Sequence, residues 1–399
     1  MVKRPRIIQL AGMALLFSMP LILLACGPDG VTNSPFIPVG NNLGETAVPP
    51  AQIGNNLVVN PTAPVIGNNL IQDTPPAAPV DIMKKPLVTT MYTADPSAHV
   101  FEGKVYIYPS HDLDHNTPPT QNGDQYDMED YHVFSMDNMQ MWPVDLGEVL
   151  NVKNVPWAEK QMWAPDAAYK NGMFYLYFPA KDKSGLFRIG VATADSPAGP
   201  FAPQAEPIQG SFSIDPAVFV DDNGQAYMYF GGLWGGQLEK WRTGAYDAEG
   251  MEPSTGKPAL GPRVAKLSAD MLSFDGPVGE ISIIDDKGRP LLAGDHNRRF
   301  FEAAWVHKYN GTYYLSYSTG DTHYMAYATA QNPLGPFTFR GYVLNPVLGW
   351  TTHGSIVEFQ GKWYLFYHDD SLSGVDNKRC MKVAELFYNP DGSIQTITP

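Results

Sequence analysis

Asn310-Gly311-Thr312-Tyr313-Tyr314-Leu315-Ser316-Tyr317 reads as a glycine turn feeding an aromatic-rich strand, and four other stretches of the chain repeat the pattern. Their turns are Glu102-Gly103-Lys104, Asn171-Gly172-Met173, Asn223-Gly224-Gln225 and Gln360-Gly361-Lys362. The strands that follow carry Tyr106/Tyr108, Tyr175/Tyr177, Tyr227/Tyr229 and Trp363-Tyr364 with Tyr367, the period-two pattern of a pleated strand. One hairpin signal recurring at intervals of about 50 to 87 residues implies one blade of sheet per repeat, and five blades closed into a ring make an all-β, five-bladed β-propeller. Ahead of the five turns stand Asp95, Asp166, Asp215, Glu302 and His353. The innermost strand of a propeller blade faces the central channel, so a polar residue at its start predicts four carboxylates and an imidazole gathered near the axis. Such a pocket has the means for acid–base chemistry.

Between the hairpins the chain is punctuated by Asn, Gly, Pro and Asp and carries few helical signals, while runs such as Arg188-Ile189-Gly190-Val191-Ala192-Thr193 have the length of strands. Two segments repeat almost word for word: Ala192-Thr193-Ala194-Asp195-Ser196-Pro197-Ala198-Gly199-Pro200-Phe201 and Ala328-Thr329-Ala330-Gln331-Asn332-Pro333-Leu334-Gly335-Pro336-Phe337. A repeat of this kind argues for equivalent blades rather than unrelated domains.

The motifs around the polar positions are Ala94-Asp95-Pro96-Ser97, Met162-Trp163-Ala164-Pro165-Asp166, Ser213-Ile214-Asp215-Pro216-Ala217, Phe301-Glu302-Ala303-Ala304 and Thr352-His353-Gly354-Ser355. In this order they resemble glycoside hydrolase family 43, and the resemblance spans residues 84–399. It implies a five-bladed propeller that removes pentose units from arabinose- and xylose-containing polysaccharides with inversion, with Asp95 as general base, Glu302 as general acid and Asp215 as the residue that orients the acid and tunes its pKa. Inverting hydrolysis requires one carboxylate to activate water and a second, protonated, to donate to the leaving oxygen. Phe300-Phe301 beside Glu302, with Asp215 as a neighbouring charge, would keep that acid protonated. A related five-bladed clan hydrolyses fructans with retention, through a carboxylate nucleophile. Asp95 and Asp215 each precede proline, and a lone Asp-Pro is ordinarily a turn opener; two in equivalent repeat positions, with Glu302, point to chemistry instead.

Sugar rings stack on flat aromatic side chains. Trp163, Trp234 in Gly231-Gly232-Leu233-Trp234-Gly235-Gly236, and Trp350 shortly before His353 are the candidates for substrate binding. Asp166 is grouped with them, its motif leaving open whether the carboxylate or the Trp163 indole is the active member. Arg379 is expected to contact sugar hydroxyls or to pair with a catalytic carboxylate. His353 is either a core histidine or, as the family resemblance implies, a channel residue near a hydrated calcium or other cation held through water; no cofactor is required. Ser110-His111-Asp112-Leu113-Asp114-His115 is expected to be a loop of the first blade and Glu129-Asp130-Tyr131-His132 a loop or strand edge. Neither has the fixed ligand spacing of a zinc motif.

At the N-terminus Lys3, Arg4 and Arg6 precede an apolar stretch that ends in Leu23-Leu24-Ala25-Cys26. Residues 1–25 therefore read as a lipoprotein signal peptide and Cys26 as the lipidated residue, with Gly27 favouring the outer membrane, on its periplasmic or cell-surface side. Residues 26–83 repeat Val39-Gly40-Asn41-Asn42-Leu43, Ile53-Gly54-Asn55-Asn56-Leu57 and Ile66-Gly67-Asn68-Asn69-Leu70 between Pro-rich runs, a disordered Pro/Asn/Gly-rich tether in composition. With Cys26 lipidated, Cys380 has no partner for an internal disulfide. A formal net charge of -14 disfavours nucleic acid and anionic membrane surfaces, leaving the lipid as the only membrane contact and a neutral plant polysaccharide or oligosaccharide as the partner. The reading is an exo-acting α-L-arabinofuranosidase on arabinan or arabinoxylan, with β-D-xylosidase close behind. A non-catalytic glycan-binding lipoprotein is the competing class, and it would be expected to lack the acid or the base.

Overall fold

The computed structural model of this chain describes residues 79–399. The signal peptide, Cys26 and all but the end of the tether lie outside the described residues.

Four of the five glycine turns are two-residue loops with both residues in the left-handed region: Glu102 and Gly103 (φ 53° and 78°), Asn171 and Gly172 (55° and 81°), Asn310 and Gly311 (47° and 76°), Gln360 and Gly361 (52° and 75°). This is the type I′ geometry, whose twist matches that of the paired strands. It sets the register, with Phe101 opposite Lys104, Lys170 opposite Met173, Tyr309 opposite Thr312 and Phe359 opposite Lys362. The third turn is longer, since Val220 pairs with Ala226 and Asp221 N–H reaches Gln225 O across the loop at 2.9 Å.

The hairpins grow into five sheets. Blade I holds β1 (Tyr92–Phe101), β2 (Lys104–Asp112), β3 (Asp130–Met136) and β4 (Val144–Asn151). Blade II holds β5 (Ala158–Lys160), β6 (Asp166–Lys170), β7 (Met173–Asp182), β8 (Phe187–Ala194) and β9 (Ala202–Pro203). Blade III holds β10 (Ala217–Val220), β11 (Ala226–Phe230), β12 (Arg263–Lys266) and β13 (Gly279–Glu280). Blade IV takes β14 (Ile283–Ile284) as a parallel outer strand beside β15 (Glu302–Tyr309), β16 (Thr312–Ser318), β17 (Met325–Ala330) and β18 (Phe337–Leu344). Blade V has only β19 (Gly354–Phe359), β20 (Lys362–Asp369) and β21 (Cys380–Leu386). Helix is confined to three short 3-10 turns among the described residues.

The repeated aromatic residues do specific work between blades. Tyr108, Tyr177, Tyr229, Tyr317 and Tyr367 are all fully buried. A buried phenol must find an acceptor, and the hydroxyls of Tyr108, Tyr177 and Tyr229 donate to the backbone oxygens of Pro197, Met271 and Pro333 in the following blade, at 2.7, 2.9 and 2.7 Å. Pro197 and Pro333 are the first prolines of the two duplicated segments, so that repeat marks where one blade receives the tyrosine of the blade before it.

Ring closure uses the segment ahead of β1 and the first residues of β1 itself. Lys84 N–H donates to Val383 O (2.7 Å), Leu87 N–H to Met381 O (2.8 Å) and Thr93 N–H to Arg379 O (2.9 Å), so the first described residues cover the free edge of the three-stranded last blade and leave no open edge there. Ile82, Leu87 and Val88 pack with Ile107, Phe134, Phe366 and Val383 across the seam; the packed region therefore starts slightly ahead of Lys84. Ile82 is fully buried, and Ile82→Ala is expected to lower unfolding stability by about 2 to 5 kcal/mol, read from denaturant or thermal unfolding. A loss below about 0.5 kcal/mol, the range of surface substitutions, would show that the seam is not part of the core.

Candidate active site

Asp95, Asp215, Glu302 and His353 all line one cavity of about 50 Å³, together with Tyr126, Met128, Trp163, Ala164, Ile214, Thr351 and Arg379. Convergence of the polar positions is thus as the repeat predicts for four of five. The backbone at these points departs from regular strand. Asp95 (φ 49°), Asp215 (56°) and Ala303 (62°) are left-handed, and the β1–β2 and β15–β16 registers shift at Ala94/Ser97 and Glu302/Trp305. Such conformations cost energy in residues other than glycine and persist only where neighbours over-determine them. Here the neighbours are visible: Asp95 N–H donates to His368 Nδ1 at 2.9 Å, and Ala303 N–H donates to Asp215 Oδ2 at 2.9 Å. The second bond ties Asp215 to the residue beside Glu302.

Arg379 organises the base side. Its Nε and Nη2 grip both oxygens of Asp112 at 2.8 and 2.7 Å, while Nη1 donates to Asp95 Oδ1 (3.1 Å) and Thr351 Oγ1 (3.0 Å). Ser110 Oγ donates to the other oxygen of Asp95. Arg379 thus pairs with Asp95, the carboxylate expected to be the base, while it also lines the cavity. Burial alone would raise Asp95, but Arg379, helped by His368 and His353, outweighs it and holds the carboxyl well below its usual range.

Glu302 is the opposite case. Burial pushes it up to about 8, the charge of Asp95 adds to the shift, and Arg379 opposes without overcoming them. Asp215 is also raised, by burial first and then by Glu302 and Asp95. Two interacting carboxyls titrate as a pair, and this pair keeps a proton near neutrality. His353 Nδ1 lies 3.7 Å from Asp95 Oδ1 and 3.8 Å from Asp215 Oδ2. Burial pushes its pKa down to about 4 despite Asp95, so at neutral pH the imidazole carries no charge and keeps a lone pair. A neutral imidazole is the form that the water-mediated cation contact implied by the family resemblance would need. An ionised and a protonated carboxyl group facing one narrow cavity are what acid–base cleavage of a glycosidic bond takes.

Trp163 forms the flat wall, its Nε1–H donating to Tyr126 O at 2.7 Å and its ring 4.7 Å from that of Phe187. A Cβ on Gly123 would come within 2.7 Å of the indole, so glycine there lets the loop close over the ring. Gly232 is required for a similar reason: a Cβ would meet Ile214 at 2.6 Å and the Glu302 side chain at 3.1 Å. Trp234 and Trp350 do not line the cavity. They stack on each other (5.8 Å, 18°), Trp234 meeting Phe301 edge-on at 4.9 Å, and so form an aromatic wall beside the acid rather than the floor of the pocket.

Asp166 corrects the sequence reading more fully. It is buried and faces away from the cavity: its Oδ1 accepts from Ser97 Oγ and contacts His99 Nε2 at 2.7 Å, and its Oδ2 accepts the Val218 amide. One carboxylate thereby satisfies groups from blades I and III. Ser110 and Asp112 are the other correction, being buried strand residues of β2 that hold Asp95 and Arg379 rather than a loop on the rim. His368 was not legible as a site residue. Its only signal is a polar residue at the end of an otherwise apolar strand.

The glycosyl hydrolases family 43 model matches residues 83–394. The chain belongs to this family. It is 62% identical over 324 residues to the Xylosidase/arabinosidase 43A of Humicola insolens, covering 79% of this chain and 99% of that protein. A Beta-xylosidase of Xylanibacter ruminicola is 49% identical, with 77% and 97% covered. Among solved structures, a family 43 beta-xylosidase/alpha-arabinofuranosidase from a compost microbial metagenome, in complex with xylotriose and in a calcium-free form, matches with TM-score 0.78 and 65% identity over 80% of this chain and 98% of that one. The protein is a glycoside hydrolase of the arabinofuranosidase/xylosidase type.

The two environments set the pH response of this family 43 enzyme. In the roles the family motifs imply, Glu302 as a raised acid is competent below its pKa and lost above it, so kcat/KM should fall as pH rises through about 8; Asp95 as a lowered base is competent above its pKa, so the acid limb should lie below the ordinary aspartate value of about 3.9. The check is a pH profile of kcat/KM on an aryl pentoside for the wild type and Glu302→Gln, and an alkaline limb that survives the substitution would remove Glu302 from the role.

Proposed function

We propose that the enzyme is an exo-acting, inverting pentosidase that removes β-D-xylosyl and α-L-arabinofuranosyl units from the ends of plant xylo-oligosaccharides and arabinoxylan. The observation that carries this is the single small cavity into which Asp95, Asp215 and Glu302 all point. Asp95 would draw a proton from the attacking water, Glu302 would donate to the leaving oxygen, and Asp215, bonded to the Ala303 amide, would hold the acid in place. The choice of both sugars rests on the near full-length relatives, which bear xylosidase and arabinosidase names together, and on the xylotriose bound to a 65% identical neighbour.

The full chain should therefore release p-nitrophenol from both the β-D-xyloside and the α-L-arabinofuranoside, with Glu302→Gln reducing the rate by roughly 10² or more. The first sugar anomer seen by proton NMR should be inverted. No activity on either glycoside or on xylo-oligosaccharides would overturn the reading, and a retained anomer would replace the water-activating base with a nucleophile.

The N-terminal pattern supports export as a lipoprotein anchored through Cys26 to the outer membrane, the Pro/Asn/Gly-rich residues acting as a spacer. Cys26→Ser is expected to shift the enzyme from the membrane fraction to the soluble fraction without loss of specific activity. Equal partition of the two forms would sink the anchor.

A further inference from the structure

Two runs without ligand spacing in the sequence meet on one face of blade I. β2 brings His111 and the neighbouring β3 brings Asp130 and His132. One ligand atom from each of the three lies within 4.8 Å of the others. His111 Nδ1 is 2.7 Å from Asp130 Oδ1, and the two imidazoles cross at 69° with centroids 5.6 Å apart. From β4, Asp145 takes His132 Nδ1 with both oxygens, at 3.0 and 3.2 Å. That contact fixes the ring from its Nδ1 side and leaves Nε2 as the nitrogen for a metal, the arrangement carboxylates give to metal-bound histidines.

Local backbone supports the same placement. The β3–β4 register shifts on both sides of His132, and bulges of this kind re-aim side chains. The group is reachable, because His111 lines a cleft of about 460 Å³ beneath Thr89 and Thr90 and Asp145 lines the adjoining cleft under the same two residues. It is also largely shielded, with side-chain accessibilities of 18% for His111 and 14% for Asp130. Alternation along β2 sends Ser110 and Asp112 towards Asp95 and Arg379 and His111 the other way. The cluster shares a strand with the catalytic centre and no residue with it.

We propose that His111, His132 and Asp130 form a second, non-catalytic site for a divalent transition metal, zinc foremost, with Asp145 as the residue that positions His132. Two imidazoles and a carboxylate select zinc, cobalt or nickel over calcium and magnesium, which prefer all-oxygen shells. Bond lengths of about 2.0 to 2.2 Å put tetrahedral ligand atoms about 3.3 Å apart. The His111 Nδ1–Asp130 Oδ1 separation is 2.7 Å and no ligand atom of the three lies more than 4.8 Å from another, so small side-chain rotations would bring them to that spacing. A metal here would tie β2 to β3 directly and β4 through Asp145, and would leave room for water in its remaining positions.

The test uses the untagged full chain, stripped with a chelator and titrated with Zn²⁺ by calorimetry and with Co²⁺ by visible absorption, against the double variant His111→Gln/His132→Gln. The wild type should bind one more Zn²⁺ than the double variant, at micromolar Kd or tighter, show a cobalt ligand-field band that the variant lacks, and gain Tm on Zn²⁺ addition where the variant does not. Asp145→Asn should weaken this site about tenfold or more. Equal stoichiometry and affinity in wild type and double variant, or only millimolar binding, would overturn the proposal and leave two hydrogen-bonded His–Asp pairs. Retained pentosidase activity in the double variant shows that it has folded, and should it fail to fold, Asp130→Asn must show the same loss of Zn²⁺ binding for the proposal to stand.

Discussion

The active centre depends on the burial of one guanidinium between the last blade and the first. Arg379 precedes β21 and is almost wholly enclosed. A charge in such a place is tolerated only when paired and hydrogen-bonded, and its partners, Asp112 and Asp95, come from blade I. Its own backbone oxygen accepts from Thr93 N–H, one of the bonds that close the ring. Closure of the propeller and ionisation of Asp95 are therefore consequences of the same contact. A propeller opened at this seam would lose the partner that overcomes the upward push of burial on that carboxyl.

Glu302 shows the effect of withholding such a partner. It lines the same cavity, half-buried, yet no cation grips it, and desolvation with the charge of Asp95 raises it. Two carboxyl groups of similar intrinsic acidity thus take opposite protonation states through their surroundings alone. Asp215 completes the arrangement by its bond to the Ala303 amide, which also holds the left-handed backbone beside the acid. Left-handed φ values occur at Asp95, Asp215 and Ala303 as well as in the hairpin turns, and at the cavity the Asp95 and Ala303 amides are held by His368 and Asp215.

Much of this was legible in the chain because the signals are short-range. A Gly or Asn with positive φ, flanked by alternating aromatics, specifies a hairpin whatever surrounds it, and five of them at similar spacing specify blades. The residues that escaped reading are those whose role depends on distant partners. Asp166 shares the motif position of the catalytic carboxylates, yet its neighbours in space, Ser97, His99 and Val218, turn it into a bolt between blades. Trp234 and Trp350 lie more than a hundred residues apart in the sequence and stack on each other outside the cavity lining. Asp112 and His368 look like ordinary polar residues at strand ends until Arg379 and Asp95 are brought against them.

The sequence by itself determined the blade count, the turn geometry of four hairpins, the order of the family motifs and the three carboxylates that meet at the axis, since each is written in residues a few positions apart. Tertiary structure alone decided which partners hold Asp95 ionised and Glu302 protonated, and that Asp166 bolts blades together instead of lining the cavity. Those outcomes are set by burial and by charges contributed from other blades, and an electrostatic environment assembled from residues hundreds of positions apart has no local signature.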